Sequence, residues 1–170
     1  MSPSGPQEPL AEFAGNHVYT LHARSCLVTH HDLTRDGEDR LVSTHDTLPD
    51  EYSIDMNNRT PPLTFGAAIN YHAKSSTLIA TSRFLKGADV DSVAFLKVDD
   101  KGCIVSTKIL QPKGGREFRG VGVVGDSYLV AGQNDGWLSC FQWDRTANEW
   151  KEREFDSPVQ FEKVVDIESF

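Results

Sequence analysis

The sequence predicts an all-β fold, a partial β-propeller of about three four-stranded antiparallel blades, on three observations. Its apolar segments are short, rich in β-branched and aromatic residues, and punctuated by Gly, Asp or Asn, as in HVYTLH (17–22) and SVAFLKV (92–98). No long stretch sustains the 3.6-residue period of an amphipathic helix, so the pattern is that of strands. The segments also recur as a set, with 59 residues from Tyr19 to Leu78 and 51 from Leu78 to Leu129. Four short strands per unit of about 40–50 residues is the signature of a propeller blade. The competing reading is an ordinary sandwich with a chance repeat.

Each blade begins with a strand of small residues. LAEFAG (10–15), FGAAINYH (65–72) and RGVGVVG (119–125) occupy that place. Gly and Ala there, at Gly66, Ala67, Ala68, Gly120 and Gly122, suit the crowded inner strand, where neighbouring sheets approach closely. A more apolar strand follows, HVYTLH, TLIATS (77–82) or SYLVAG (127–132), and after it a polar connection and a third, alternating strand. The next turn contains Asp: Arg35-Asp36-Gly37, Asp99-Asp100-Lys101-Gly102 and Asp144-Arg145-Thr146-Ala147-Asn148. The outer strand then runs toward Pro49, Pro112 or Pro158 and is polar where it faces water, as in WKEREF (150–155). Blades of about 10–62, 63–113 and 114–170 result, after a flexible segment over residues 1–9. Trp137, Phe141, Trp143, Trp150 and Phe155 crowd the last unit and are expected to pack between sheets.

With 170 residues the chain is long enough for a substantial core. Its formal charge of −8 argues against nucleic acid as a partner, because a broad phosphate footprint needs a basic face. No apolar run reaches the roughly 18 residues of a membrane-spanning helix. The opening MSPSGPQEPLAEF lacks the basic start and apolar middle of a secretory leader, so a soluble, cytoplasmic protein is expected. Cys26, Cys103 and Cys140 are too far apart for a C-x-x-C motif and read as small hydrophobes. Without a leader, the sequon Asn58-Arg59-Thr60 reads as chance.

HVYTLHA (17–23), SRFLKGADVDSVAFLKVDDKG (82–102), GGREFRGV (114–121) and YLVAGQNDGWLSCFQWD (128–144) together resemble the seven-bladed lactonase propellers. That family includes bacterial 6-phosphogluconolactonases and fungal carboxy-cis,cis-muconate cyclases, and DGWLSCFQWD is most similar to the cyclase branch. The likeness covers residues 10–165 and implies a match to the last three blades of a protein about twice as long. It also implies a function, the opening or closure of a small carboxylated lactone. The family's Asn-Glu pair is replaced here by His22-Ala23, its Arg-His pair by Arg119-Gly120, and its Asn-Gln by Gly132-Gln133. Arg83 stands at the family's Ser-Asn-Arg arginine.

Arginine suits a polyanionic substrate because its planar fork binds carboxylates bidentately and stays charged. Arg83 and Arg119 are therefore the expected substrate clamps, with Gln133 as a further binding group. Each arginine has an alternative role as the structural partner of Asp89, Asp91 or Glu117. His22 is the imidazole at a family site position and the candidate for proton transfer. The run His30-His31-Asp32 invites a metal reading, with His45 as third ligand. Consecutive strand residues point to opposite faces, however, so no metal is expected. No P-loop, dinucleotide fingerprint or G-x-S-x-G elbow is present, and no cofactor is expected.

Three blades cannot close a ring. The chain is therefore expected to pair with a second copy, or with a partner that completes the propeller. A catalytically inactive propeller fragment, serving as a binding module, is the alternative to the enzyme.

Overall fold

The computed structural model describes residues 10–52, 64–85, 87–132 and 137–153. Twelve strands in these residues form three four-stranded antiparallel sheets. The first holds β1 (Leu10–Ala14), β2 (His17–His22), β3 (Leu27–Asp32) and β4 (Leu41–Asp46) in sequence order. The second holds β5 (Phe65–His72), β6 (Thr77–Arg83), β7 (Val93–Val98) and β8 (Ile104–Leu110). The third holds β9 (Phe118–Val124), β10 (Ser127–Gly132), β11 (Leu138–Asp144) and β12 (Glu149–Arg153). Each sheet is a simple meander, and the strands fall where the repeat placed them.

The first strands of the sheets are neighbours: β5 lies between β1 and β9. Three blades thus fan out from a shared inner edge, a partial propeller. The small residues of the inner strands have the expected use at Gly66, where a Cβ would stand 2.9 Å from Leu21 Cγ of the preceding blade. Among the described residues, no helix is long and apolar enough to cross a membrane.

Two hydrophobic seams hold the fan together. Tyr19, Leu21 and Val28 of the first blade pack on Ile69, Leu78, Ala80, Ala94 and Leu96 of the second. The opposite face of the second blade, Ile79, Val93 and Phe95, packs on Tyr128, Phe141, Trp143 and Trp150 of the third. The middle blade is covered on both sides, so every residue of β6 is buried. In β2 and β3 of the first blade, burial alternates instead.

The third-to-fourth-strand turns share one device. Asp32, Asp99 and Asp144 each close the turn by accepting a hydrogen bond through Oδ1 from the backbone N–H two residues on, Thr34 (2.9 Å), Lys101 (2.9 Å) and Thr146 (3.0 Å). In the first blade this role belongs to Asp32 and not to the Asp36 of the expected Arg35-Asp36-Gly37 turn. That segment winds into a short 3-10 helix, Gly37–Arg40.

Of the aromatic cluster in the last unit, Phe141, Trp143 and Trp150 do pack between sheets. Trp137 instead covers Gly114, where an added Cβ would meet its ring at 2.6 Å. Phe155, Pro158 and the sequon at Asn58 lie outside the described residues. Cys26 and Cys140 are buried and reduced, and Cys103 is half-buried.

Candidate functional site

Three of the four sequence-selected residues belong to one end of the blades, where second strands finish and first strands begin. His22 is the last residue of β2, Arg83 the last of β6, and Arg119 the second of β9. Gln133 follows the end of β10 and lies outside the described residues. The strand order and the antiparallel meander produce this convergence, because every second strand runs toward the same end.

Arg83 is the most completely built of them. Only 7% of it is exposed, and its Cζ lies 5.4 Å from the Phe65 ring centroid and 5.8 Å from that of Phe84. The two rings meet edge to face at 6.5 Å and form two aromatic walls for the guanidinium. Phe65 is in register opposite Arg83 on β5. Phe84 reaches the site through a left-handed backbone, with φ of 59°. For a bulky residue that conformation costs about 1–2 kcal/mol, which the surrounding contacts must hold in place.

Asp91 provides much of that hold. Its carboxylate is fully buried and accepts hydrogen bonds from the backbone N–H groups of Leu85 (2.6 Å) and Glu117 (2.5 Å). Its own N–H donates to the Gly115 carbonyl at 3.1 Å. Burial pushes the Asp91 carboxyl above the usual range, while those amide donors and the Arg116 charge act in the opposite direction. Asp91 thereby ties the connection after β6 to the approach of β9, on which Glu117 is itself left-handed at φ 56°. Gly115 is at φ 102°, with the Phe118 ring 2.5 Å from where a Cβ would stand. The glycines of GGREF thus make room for aromatic rings. Sequence reading weighed Asp91 only as an ion-pair partner and did not select Phe65 or Phe84. Their roles depend on strand register and on a loop contact across blades, neither of which spacing reveals.

His22 lies elsewhere. Tyr19 and Leu21 of β2 face the second blade, so Val18, Thr20 and His22 occupy the other face. The His22 ring is exposed and forms a 2.9 Å hydrogen bond between Nε2 and Thr29 Oγ1 on that outer face. The structure therefore does not bring His22 and Arg83 together.

The His30-His31-Asp32 run is divided in the same way. His30 is fully buried, stacks on Tyr19 at 4.9 Å, and places Nε2 3.0 Å from His17 Nδ1. Burial, reinforced by neighbouring His17, lowers its pKa to about 4, so it is neutral near pH 7. His45 lies opposite Val28 and contacts Ser43. Among the described residues, no group of three or more His, Cys, Asp or Glu is arranged to hold a metal ion.

A cavity of about 620 Å³ opens at the opposite end of the first two blades. It is lined by Asn16, His17, Asp32, Tyr71, Asp99 and Lys101, among others. The turn aspartates in its wall are engaged by the backbone: Asp99 Oδ1 accepts from both Lys101 N and Cys103 N.

The described residues thus form an inner edge of first strands, with a buried arginine between aromatic walls at one end. The sequence matches no protein-family model and none of the curated proteins. Solved structures do share the fold. A candidate 6-phosphogluconolactonase from Bacteroides fragilis is 18% identical with a TM-score of 0.68, over 96% of this chain and 41% of its own. A protein from Lactobacillus plantarum is 16% identical with a TM-score of 0.66, over 95% of this chain and 44% of its own. A periplasmic gluconolactonase from Pseudomonas aeruginosa is 22% identical with a TM-score of 0.61, over 89% of this chain and 41% of its own. The chain spans less than half the length of each.

Proposed function

We propose that the protein acts on a small carboxylated lactone, opening or closing its ring, with Arg83 and Arg119 as the groups that grip substrate carboxylates and Gln133 as a further binding group. The observation that carries this reading is the setting of Arg83. A guanidinium held between two phenyl walls at the end of an inner pair of strands is oriented in advance, and it keeps its charge at any working pH. The left-handed Phe84 that supplies one wall is strain of the kind found at working sites. The fold shared with a gluconolactonase supports a lactone substrate for this chain, and the carboxylate on it is inferred from the arginines. Within that class, the DGWLSCFQWD run favours a muconate-cyclase type of substrate, and the order of motifs favours the last three blades of the family ring.

The competing reading is a propeller segment that binds without turnover. It is favoured by Ala23 and Gly120, which carry no acid or base where the family has them. It is favoured also by Asp91, a buried carboxylate at this end whose oxygens are engaged by backbone amides.

Lactone hydrolysis and muconate cyclisation by the wild type and Arg83→Ala separate the two. Loss of turnover of about tenfold or more in Arg83→Ala, with fold retained by circular dichroism, supports the clamp. Equal activity in both removes it, and no activity in the wild type leaves the binding module. A pH–rate profile that flattens in His22→Gln assigns proton transfer to His22; an unchanged profile excludes it.

A further inference from the structure

We propose that the cavity at the turn end of the first seam is a second binding site, taking a small neutral polyol such as a hexose. This goes beyond the catalytic proposal and does not depend on it, since Arg83 lies at the opposite end of the blades. The cavity holds about 620 Å³, within the range of small-molecule sites. It opens where the β1–β2 and β3–β4 turns of the first blade meet the β5–β6 and β7–β8 turns of the second, and its lining lies in described residues.

His17 is the fixed donor of the site. Its Nδ1 stands 3.0 Å from Nε2 of His30, which is fully buried, and His30 Nδ1 meets no hydrogen-bond partner among the described residues. With its proton at Nδ1, His30 would bury an N–H that no acceptor reaches, an arrangement folded proteins avoid. His30 therefore donates from Nε2 and leaves only a lone pair unmatched. His17 Nδ1 accepts that bond, which puts the His17 proton at Nε2. A Cβ added at Gly102 would stand 2.4 Å from this Nε2, so the ring lies against the β7–β8 turn. Tyr19 Oη holds the same turn by donating to the Gly102 carbonyl at 2.7 Å. The imidazole is thus oriented in advance, and no described residue accepts from its Nε2–H, which is left for a ligand oxygen.

The rest of the wall offers both kinds of partner and little net charge. Asp99 commits Oδ1 to the amides of Lys101 and Cys103, which leaves Oδ2 as an acceptor. The Asp100 carboxylate and the Lys101 ammonium are adjacent, exposed and of opposite sign. Asp32 is matched by Thr34 and by Arg35 at 3.1 Å. Tyr71 rests on the aliphatic seam and adds a ring and a hydroxyl to the wall. A carboxylate ligand would meet Asp99 and Asp100, and an ammonium would meet Lys101 and the His17 N–H. A hydroxyl both donates and accepts, so a polyol uses the carboxylates and the two donors together. The C–H face of a sugar ring suits the Tyr71 side chain.

Amide NMR spectra of the full chain, titrated with methyl glucoside, test this. The expected result is saturable shifts at Asn16, His17 and Gly102, with none at Phe65 or Arg83. Methyl glucuronide, and the same sugar with an aminomethyl in place of its hydroxymethyl group, add one negative or one positive charge. Each should bind about tenfold more weakly or worse. Ring-nitrogen spectra should show the His17 proton at Nε2. His17→Phe should abolish the shifts. If that variant fails to fold by circular dichroism, Lys101→Met on the exposed turn should weaken binding by about threefold or more. A wild type without saturable shifts overturns the proposal. So does binding unchanged in the folded variant, a charged glycoside that binds as tightly as the neutral one, or a His17 proton found at Nδ1.

Discussion

The two seams between blades solve the same packing problem with different chemistry. Between the first and second blades the seam is mainly aliphatic, built on Leu21, Val28, Leu78 and Leu96, with a buried polar strip at one end. In that strip Tyr19 Oη donates to the Gly102 carbonyl at 2.7 Å, and His30 lies under Tyr19. Between the second and third blades the seam is aromatic. Phe95 stacks on Trp150 at 5.4 Å and meets Phe141 edge to face at 5.3 Å, while His72 meets Trp150 edge to face at 5.0 Å. His72 Nε2 donates to the Gly125 carbonyl at 3.0 Å, which secures the first turn of the third blade. At the loop end, Gly66 N–H donates to the Ala23 carbonyl at 2.8 Å across the first seam. The second seam uses the side chain of Asp91 instead. The first tie is backbone to backbone, whereas the second adds to one backbone bond, Asp91 N–H to the Gly115 carbonyl, two that depend on the Asp91 carboxylate.

Substitutions at the aromatic seam should therefore be the most damaging. Trp150→Ala removes a nearly buried indole that touches Phe95, Trp143 and His72, and should cost about 3–5 kcal/mol by denaturant unfolding. A loss below about 1 kcal/mol would show that the third blade adds little to the shared core. Asp91→Ala comes next, because it strands the buried amides of Leu85 and Glu117, at about 3 kcal/mol. It should also weaken the Arg83 setting, so any lactone turnover should fall with it.

The aliphatic seam should be the acid-sensitive one. The folded-state pKa of His30 is lowered to about 4 from an ordinary 6.5, so between those values the unfolded chain takes up a proton that the folded chain refuses. Stability from this source is complete above about pH 6.5 and declines as the pH falls toward 4, by on the order of 3 kcal/mol. The titratable neighbours of His30 are His17, His31 and His45, which reinforce the shift, and Asp32, which opposes it. Denaturation midpoints measured across that window should fall in the wild type and remain flatter in His30→Phe. The smallest effect belongs to the surface pair Lys108–Glu149, which spans the outer strands of the second and third blades at 3.1 Å. Both partners are substantially exposed, and Lys108→Ala should change stability by less than about 0.5 kcal/mol in a direct unfolding comparison.

Much of the fold is legible in the chain. Strand alternation, the small inner-strand residues and the Asp-containing turns mark twelve strands in three sets of four. Arg83 could be singled out through the motif resemblance, not through the repeat itself. Phe65 and Phe84 could not, since one reaches the guanidinium through register and the other through a left-handed residue in a loop. His22 and His30 show the same limit within one hairpin. Both are strand histidines of similar local context, yet one is exposed and the other buried.

The physical reason lies in what alternation encodes. A period of two assigns residues to two faces of a sheet, and the sequence by itself determined that assignment, the Asp turns of the second and third blades, and the close approach at Gly66. It does not say which face another blade will cover. That was decided by the tertiary structure, in which the middle blade is covered twice and the first blade once. Contacts between residues far apart in the chain then buried His30 and joined Asp91 to the approach of β9. The same arrangement left His22 and Phe13 exposed.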